Sequence, residues 1–193
     1  MNIRAVAIIS LLILVPAIVV ECLDVFHLID LRYVRKYISA GDWWRLLTGH
    51  FDHLGWNHLG LNGLFFLLLL VLFKPLENVL LTLTMCLCSA ISISTLMWFF
   101  SPNIQWYVGL SGCLYALMIY AMLLDSNYPF LFRLLALAGV LIKVVLEQYQ
   151  FDFLVISEFI SGPVAVDAHL YGVIVGGMFV LIKLLHTRLM SKA

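Results

Sequence analysis

Charge is scarce in this sequence. Its 193 residues include 11 basic and 11 acidic ones, 11% of the chain, where a soluble domain carries about 25%. A soluble globular fold and a solvated disordered tail are both excluded by that shortage. The two signs cancel to a formal net charge of zero, which removes the field that draws proteins to phosphate backbones, and no nucleic-acid partner is expected. The chain also lacks an internal repeat and a low-complexity tract. Its four cysteines do not make a disulfide framework, because Cys86, Cys88 and Cys113 fall inside apolar runs and Cys22 at the end of one, where cysteine usually serves as a small packing residue. Cys86 and Cys88 fall on different faces of a helix, which is poor metal geometry.

What is abundant is apolar surface: 64% of residues are hydrophobic, the composition of an integral membrane protein that has the lipid bilayer as its solvent. At about 20 apolar residues per crossing, six crossings would use about 120 residues and leave about 70 for loops and ends. One all-α membrane domain over residues 1–193 is expected, with no room for a second. Apolar runs cover 5–20, 58–73, 79–100, 109–124, 129–146 and 166–185. The first, preceded by the single Arg4 and lacking a small-x-small cleavage pattern before Asp24, leaves two readings open, a retained anchor and a signal peptide. Between it and the second lies the only long polar stretch, 21–57, with Trp43, Trp44, Phe51 and Trp56 among its charges; it reads as a structured interfacial loop. Elsewhere the connections carry turn chemistry, apart from an acidic segment running from Glu147 to Asp167. One side of the predicted bundle collects Arg4, Lys74, Arg133, Lys183, Arg188 and Lys192 against Glu77 and Asp125, so both termini are expected in the cytoplasm and the aromatic loop outside.

Polar residues at membrane depth are costly and therefore informative. Three groups stand out: His58 with Asn62, the Gly109-Leu110-Ser111-Gly112 turn, and His169 followed by Gly172 and Gly176. Each lies near the start of its span, and the second, fourth and sixth spans all start from the outer side, so the three can meet at one depth. His58 and Asn62, four residues apart, share a helix face and can aim two donors at one point. Ser111 sits between glycines where a helix can open with its own N–H free. His169 is a general base able to take the hydroxyl proton. Gly172-x-x-x-Gly176 is a small-residue face that lets two membrane helices approach closely. Alone, a Gly-x-Ser-Gly turn and a Gly-x-x-x-Gly face are more often plain packing features, and a histidine facing a bundle is as often structural as functional. Together they read as a Ser–His dyad with an oxyanion site.

These residues carry a family resemblance. His58-x-x-x-Asn62, Gly109-x-Ser111-Gly112 with Tyr115 and Ala116-Leu117-Met118 after it, and Ala168-His169-x-x-Gly172-x-x-x-Gly176 resemble the rhomboid intramembrane serine proteases. Trp44-Arg45 and His53 are similar to that family's first-loop signature. The resemblance implies a six-transmembrane-helix rhomboid bundle with a structured outer first loop, acting without a cofactor on transmembrane protein substrates. It implies Ser111 as nucleophile, His169 as base, an oxyanion hole of His58, Asn62 and the Ser111 backbone N–H, and Tyr115 against the His169 ring. No acid completes a triad in such enzymes; Asp167 is read as an interfacial residue on another helix face. The stretch from Trp44 to Asn62 is similar to the bacterial rhombosortase branch, which implies an inner-membrane enzyme opening to the periplasm. Its substrates would end in Gly-Gly, an apolar helix and a basic tail. Ile119 departs from the family, standing where a small residue is frequent, and Glu77 lies farther from the second span than the acid it would match.

Rival readings start from the same loop. His50, His53 and His58 with Asp52 have the chemistry of a metal or haem site, although no His-Glu-x-x-His occurs. A catalytically inactive rhomboid-like binding protein is a second alternative. Oligomeric state is not legible.

Overall fold

The computed structural model describes residues 2–149 and 156–191. Helix α1 (Ile3–Val25) starts at Asn2, whose side chain accepts from the Ala5 N–H at 3.2 Å, the usual way of satisfying an orphan donor at a helix start. Its Ala5, Ile9, Ile13 and Ala17 are buried, a spacing of four that makes one stripe. That stripe meets helices α4 (Trp56–Leu72) and α5 (Val79–Phe100). A 3₁₀ turn, Lys74–Glu77, joins those two, and Asn78 caps α5 by accepting from the Leu81 N–H at 3.0 Å.

Helix α6 (Ser111–Leu124) is the centre of the molecule: every residue from Gly112 to Ala121 is buried. A helix apolar on all sides can be buried only if neighbours surround it. Those neighbours are α4, α5, α7 (Phe130–Gln148) and α9 (Val166–Met190). A short helix, α8 (Ile156–Phe159), precedes α9. One apolar cluster takes Ile9 from α1, Phe66 from α4, Ile93 from α5, Leu117 from α6, Val144 from α7 and Val175 from α9. Helices α1, α5 and α9 are long and apolar enough to cross a membrane, and α4 and α6 are shorter apolar helices. The many exposed leucines and isoleucines, among them Leu11, Leu131 and Leu181, form the apolar exterior that a bilayer solvates.

The stretch before α4 is folded. Strand β1 (Tyr33–Val34) pairs antiparallel with β2 (Trp106–Tyr107), Tyr33 opposite Tyr107. Two short helices follow, α2 (Arg35–Ser39) and α3 (Arg45–Thr48). The Arg35 guanidinium donates to the carbonyls of Met97, Trp98 and Ser101 at 2.8–3.0 Å, satisfying the open end of α5 with a cation where the helix dipole favours one. Arg45 is buried, bonded to Asp42 at 3.0 Å and to the Arg32 carbonyl at 2.9 Å, and lies over the Trp44 ring. The loop signature residues Trp44 and Arg45 thus brace this region and lie outside the pocket described below.

One boundary differs from the expectation. Glu147 was expected to open a loop, whereas α7 continues through Gln148. An i,i+4 ion pair with Lys143 supports that extra turn. The difference moves a carboxylate into the bundle.

Candidate active site

The site is built where α6 and α9 touch. A Cβ on Gly172 would fall 2.2 Å from the Gly112 carbonyl oxygen, and one on Gly176 would fall 2.6 Å from that of Ala116 and 2.9 Å from the Ile119 Cβ. Glycine is required for so close an approach of two backbones. Ile119 is accommodated because its partner has no side chain. Held at this distance, His169 Nε2 lies 3.0 Å from Ser111 Oγ, within reach for proton transfer. The Tyr115 ring stacks on the His169 ring at 4.5 Å. Ser111 is the first residue of α6, so its N–H has no acceptor within the helix.

His58 and Asn62 line the same pocket from α4. Gly109, at φ 117°, passes so close that a Cβ there would meet His58 Cε1 at 2.7 Å and Asn62 Nδ2 at 3.7 Å. The Leu54 N–H donates to His58 Nδ1 at 3.3 Å, which leaves Nε2 of the neutral ring as the donor. Asn62 Nδ2 is buried with no hydrogen-bond partner. An orphaned donor in a protein interior is costly, and here it faces the backbone beside Ser111. The pocket has a volume of about 430 Å³, and its walls include Leu61 and Phe65 of α4, Met118 of α6 and Val140 of α7. Its polar groups come from Ser111, His169, His58, Asn62, Lys143 and the tyrosines Tyr107 and Tyr115, and the rest of its lining is apolar.

The other expected residues sit one layer away. His53 donates to or accepts from nothing in the pocket; its Nδ1 is 3.1 Å from the Phe51 carbonyl and its ring stands edge-on to His58 at 5.0 Å. His50 is bonded to Ser94 at 3.0 Å. Burial pushes the His50 and His53 rings down to about 4 and about 3, so both are neutral at pH 7, and it pushes the Asp52 carboxyl up to about 7, helped by the charge of Asp24. Among the described residues, no three His, Cys, Asp or Glu side chains converge as a metal site.

Asp167 is directed at Ser101, whose hydroxyl donates to it at 2.5 Å while also bonding Tyr171 at 2.8 Å. The carboxylate that does reach His169 is Glu147 of α7, with Oε2 2.9 Å from Nδ1. The expectation that no acid lies behind the histidine is corrected by this contact. Sequence reasoning missed Glu147 because it was counted as a loop charge; its available signal was Lys143, four residues earlier on an otherwise apolar run.

An all-α membrane protein with serine and histidine at 3.0 Å inside the bundle is a narrow class. A family model described as the Rhomboid domain matches residues 40–186, and the chain belongs to the rhomboid family. As a family, these are intramembrane serine proteases that act on membrane-protein substrates in the bilayer. No curated protein matches the chain.

Proposed function

We propose that this chain is an active rhomboid protease, hydrolysing a peptide bond in or near a transmembrane segment of its substrate. The observation that carries the reading is the 3.0 Å contact of His169 Nε2 with Ser111 Oγ beside two side-chain donors, His58 and Asn62, at Gly109. His169 takes the Ser111 proton as Oγ attacks the scissile carbonyl. The negative charge that develops on the carbonyl oxygen is met by Asn62 Nδ2, His58 Nε2 and the Ser111 N–H, the arrangement of an oxyanion hole. His169 then gives its proton to the leaving amine, and water resolves the acyl-enzyme.

In this reading α1, α4, α5, α6, α7 and α9 are six membrane spans of one domain, α1 included, since it supplies Ile9 and Ile13 to the core. The termini are cytoplasmic, and the pocket opens to the periplasmic side of a bacterial inner membrane. A substrate helix must unwind before its carbonyl can reach Ser111, because a helical carbonyl is already engaged. Paired glycines ease that step by about 1 kcal/mol each relative to alanine. Substrates ending in Gly-Gly, an apolar helix and a basic tail, the kind handled by the rhombosortase branch, suit a pocket with this demand.

The test is cleavage in liposomes of a model substrate with that tail, read as release of its soluble N-terminal part. Cleavage by the native chain, none by Ser111→Ala, and strongly slowed cleavage when Gly-Gly becomes Leu-Leu are expected. Undiminished cleavage by Ser111→Ala would overturn the serine mechanism. Equal rates on both substrates would remove the branch assignment.

A further inference from the structure

Behind the dyad is a ring of four side chains drawn from three helices. Glu147 Oε2 is 2.9 Å from His169 Nδ1, and its other oxygen, Oε1, is bonded to Lys143 Nζ. Lys143 Nζ also donates to the Tyr115 hydroxyl at 2.8 Å, and Tyr115 stacks on His169, which closes the ring. His169 and Glu147 are almost wholly enclosed, with side-chain exposures of 8% and 13%. A buried carboxylate needs partners for its oxygens, and each of these oxygens has one.

We propose that Glu147 is the third member of a Ser111–His169–Glu147 triad, a positioning residue supplied by α7 and held in place by Lys143. The proposal rests on the protease reading above. The chemistry follows from what each atom can do. An ionised carboxylate only accepts hydrogen bonds, so beside it Nδ1 must carry the proton. The lone pair of the neutral ring is then on Nε2, facing Ser111 Oγ. As Oγ bonds the carbonyl carbon, its proton moves to Nε2, and the π pair of the C=O becomes the oxyanion. The resulting imidazolium lies against Glu147, which stabilises it without taking the proton, the role of the acid in a serine-protease triad. When the C–N bond breaks, the proton passes from Nε2 to the amine, and Glu147 remains a carboxylate throughout. Lys143 occupies Oε1 and so fixes which oxygen faces the ring. The triad is complete only when α7 is seated against α9.

Glu147→Gln is the direct variant, because the amide keeps the shape but can donate to Nδ1 and hold the ring in the wrong tautomer. The expected result is a fall in kcat of about 10²–10⁴-fold with KM little changed. The acidic limb of the kcat–pH profile should also move to lower pH, as the imidazolium loses its countercharge. The groups facing His169 in that profile are Ser111 and Tyr115 from α6, Glu147 and Lys143 from α7, and His58 from α4. In a His169→Ala background Glu147→Gln should change nothing further. The native protein provides a measurement that needs no variant at this position: ¹⁵N-histidine NMR, with His169 assigned by its loss in His169→Ala, should show a neutral ring protonated on Nδ1. A native kcat and pH limb in Glu147→Gln, or a neutral His169 protonated on Nε2, overturns the triad and leaves the dyad standing. Activity retained in Ser111→Ala would instead remove the reading on which the triad rests.

Discussion

Gly172 of α9 lies against the backbone of α6 so closely that a Cβ added to it would stand 2.2 Å from the Gly112 carbonyl oxygen. That contact sets the distance between the helices and hence between His169 and Ser111. Gly172→Ala is expected to push α9 away and lower turnover by about 10²-fold, the scale for a misplacement of about 1 Å at a reacting centre. Gly177, five residues on, has open space where a Cβ would go, and Gly177→Ala should leave turnover alone and raise helix stability by about 0.5–1 kcal/mol. Steady-state kinetics and thermal melts of the two variants check this. Equal effects would mean that close packing of α6 and α9 does not position the dyad.

The oxyanion assignment separates binding from turnover. Asn62→Ala should lower kcat by about 10²–10³-fold, the scale for one lost donor, and leave KM near its native value, because a donor aimed at the developing charge contributes little to ground-state binding. His58→Ala should act similarly. As a contrast, Asn78→Ala removes the cap of α5 and should cost about 1 kcal/mol of stability without changing kcat. A rise in KM with kcat intact in Asn62→Ala would make that residue a binding or packing feature.

The loop before α4 makes stability depend on acid. His50 and His53 ionise at about 4 and about 3 in the fold against 6.5 when free, so below pH 6.5 the unfolded chain takes up two protons that the folded chain refuses. Asp52 opposes them, since at about 7 against 3.8 it holds one proton in the fold that the unfolded chain has lost. For these three groups one net proton remains on the unfolded side between pH 6.5 and 4, so together they should lower stability by about 1.4 kcal/mol per pH unit as the medium is acidified. Asp52→Asn removes the opposing group and should roughly double that slope. Thermal unfolding in detergent between pH 7 and 4.5 reads both, and a flat profile would contradict the burial of the two rings.

Much of this site was legible before the fold was known because its chemistry requires rare residues in costly places. Ser111, His169, His58 and Asn62 are polar groups in apolar runs, and the glycines around them mark close approach. The folded stretch before α4 was legible only as aromatic and charged; that Arg35 would close the end of α5 depends on a contact across 62 residues of chain, which no local pattern encodes. Glu147 was misread for the same reason. A carboxylate at the penultimate position of a helix looks like a solvated terminus, and only the packing of α7 against α9 turns it toward His169. Asp167, nearer in sequence, was the more visible acid and points elsewhere.

The most direct measurement is covalent labelling of the purified native protein with a fluorophosphonate, followed by mass spectrometry of the modified peptide. Stoichiometric modification of Ser111 is expected, unaffected by EDTA and reduced to near background in His169→Ala, whose serine lacks its base. Labelling at another residue, labelling of Ser111 at full rate in His169→Ala, or activity lost to chelator and restored by zinc would contradict the serine mechanism.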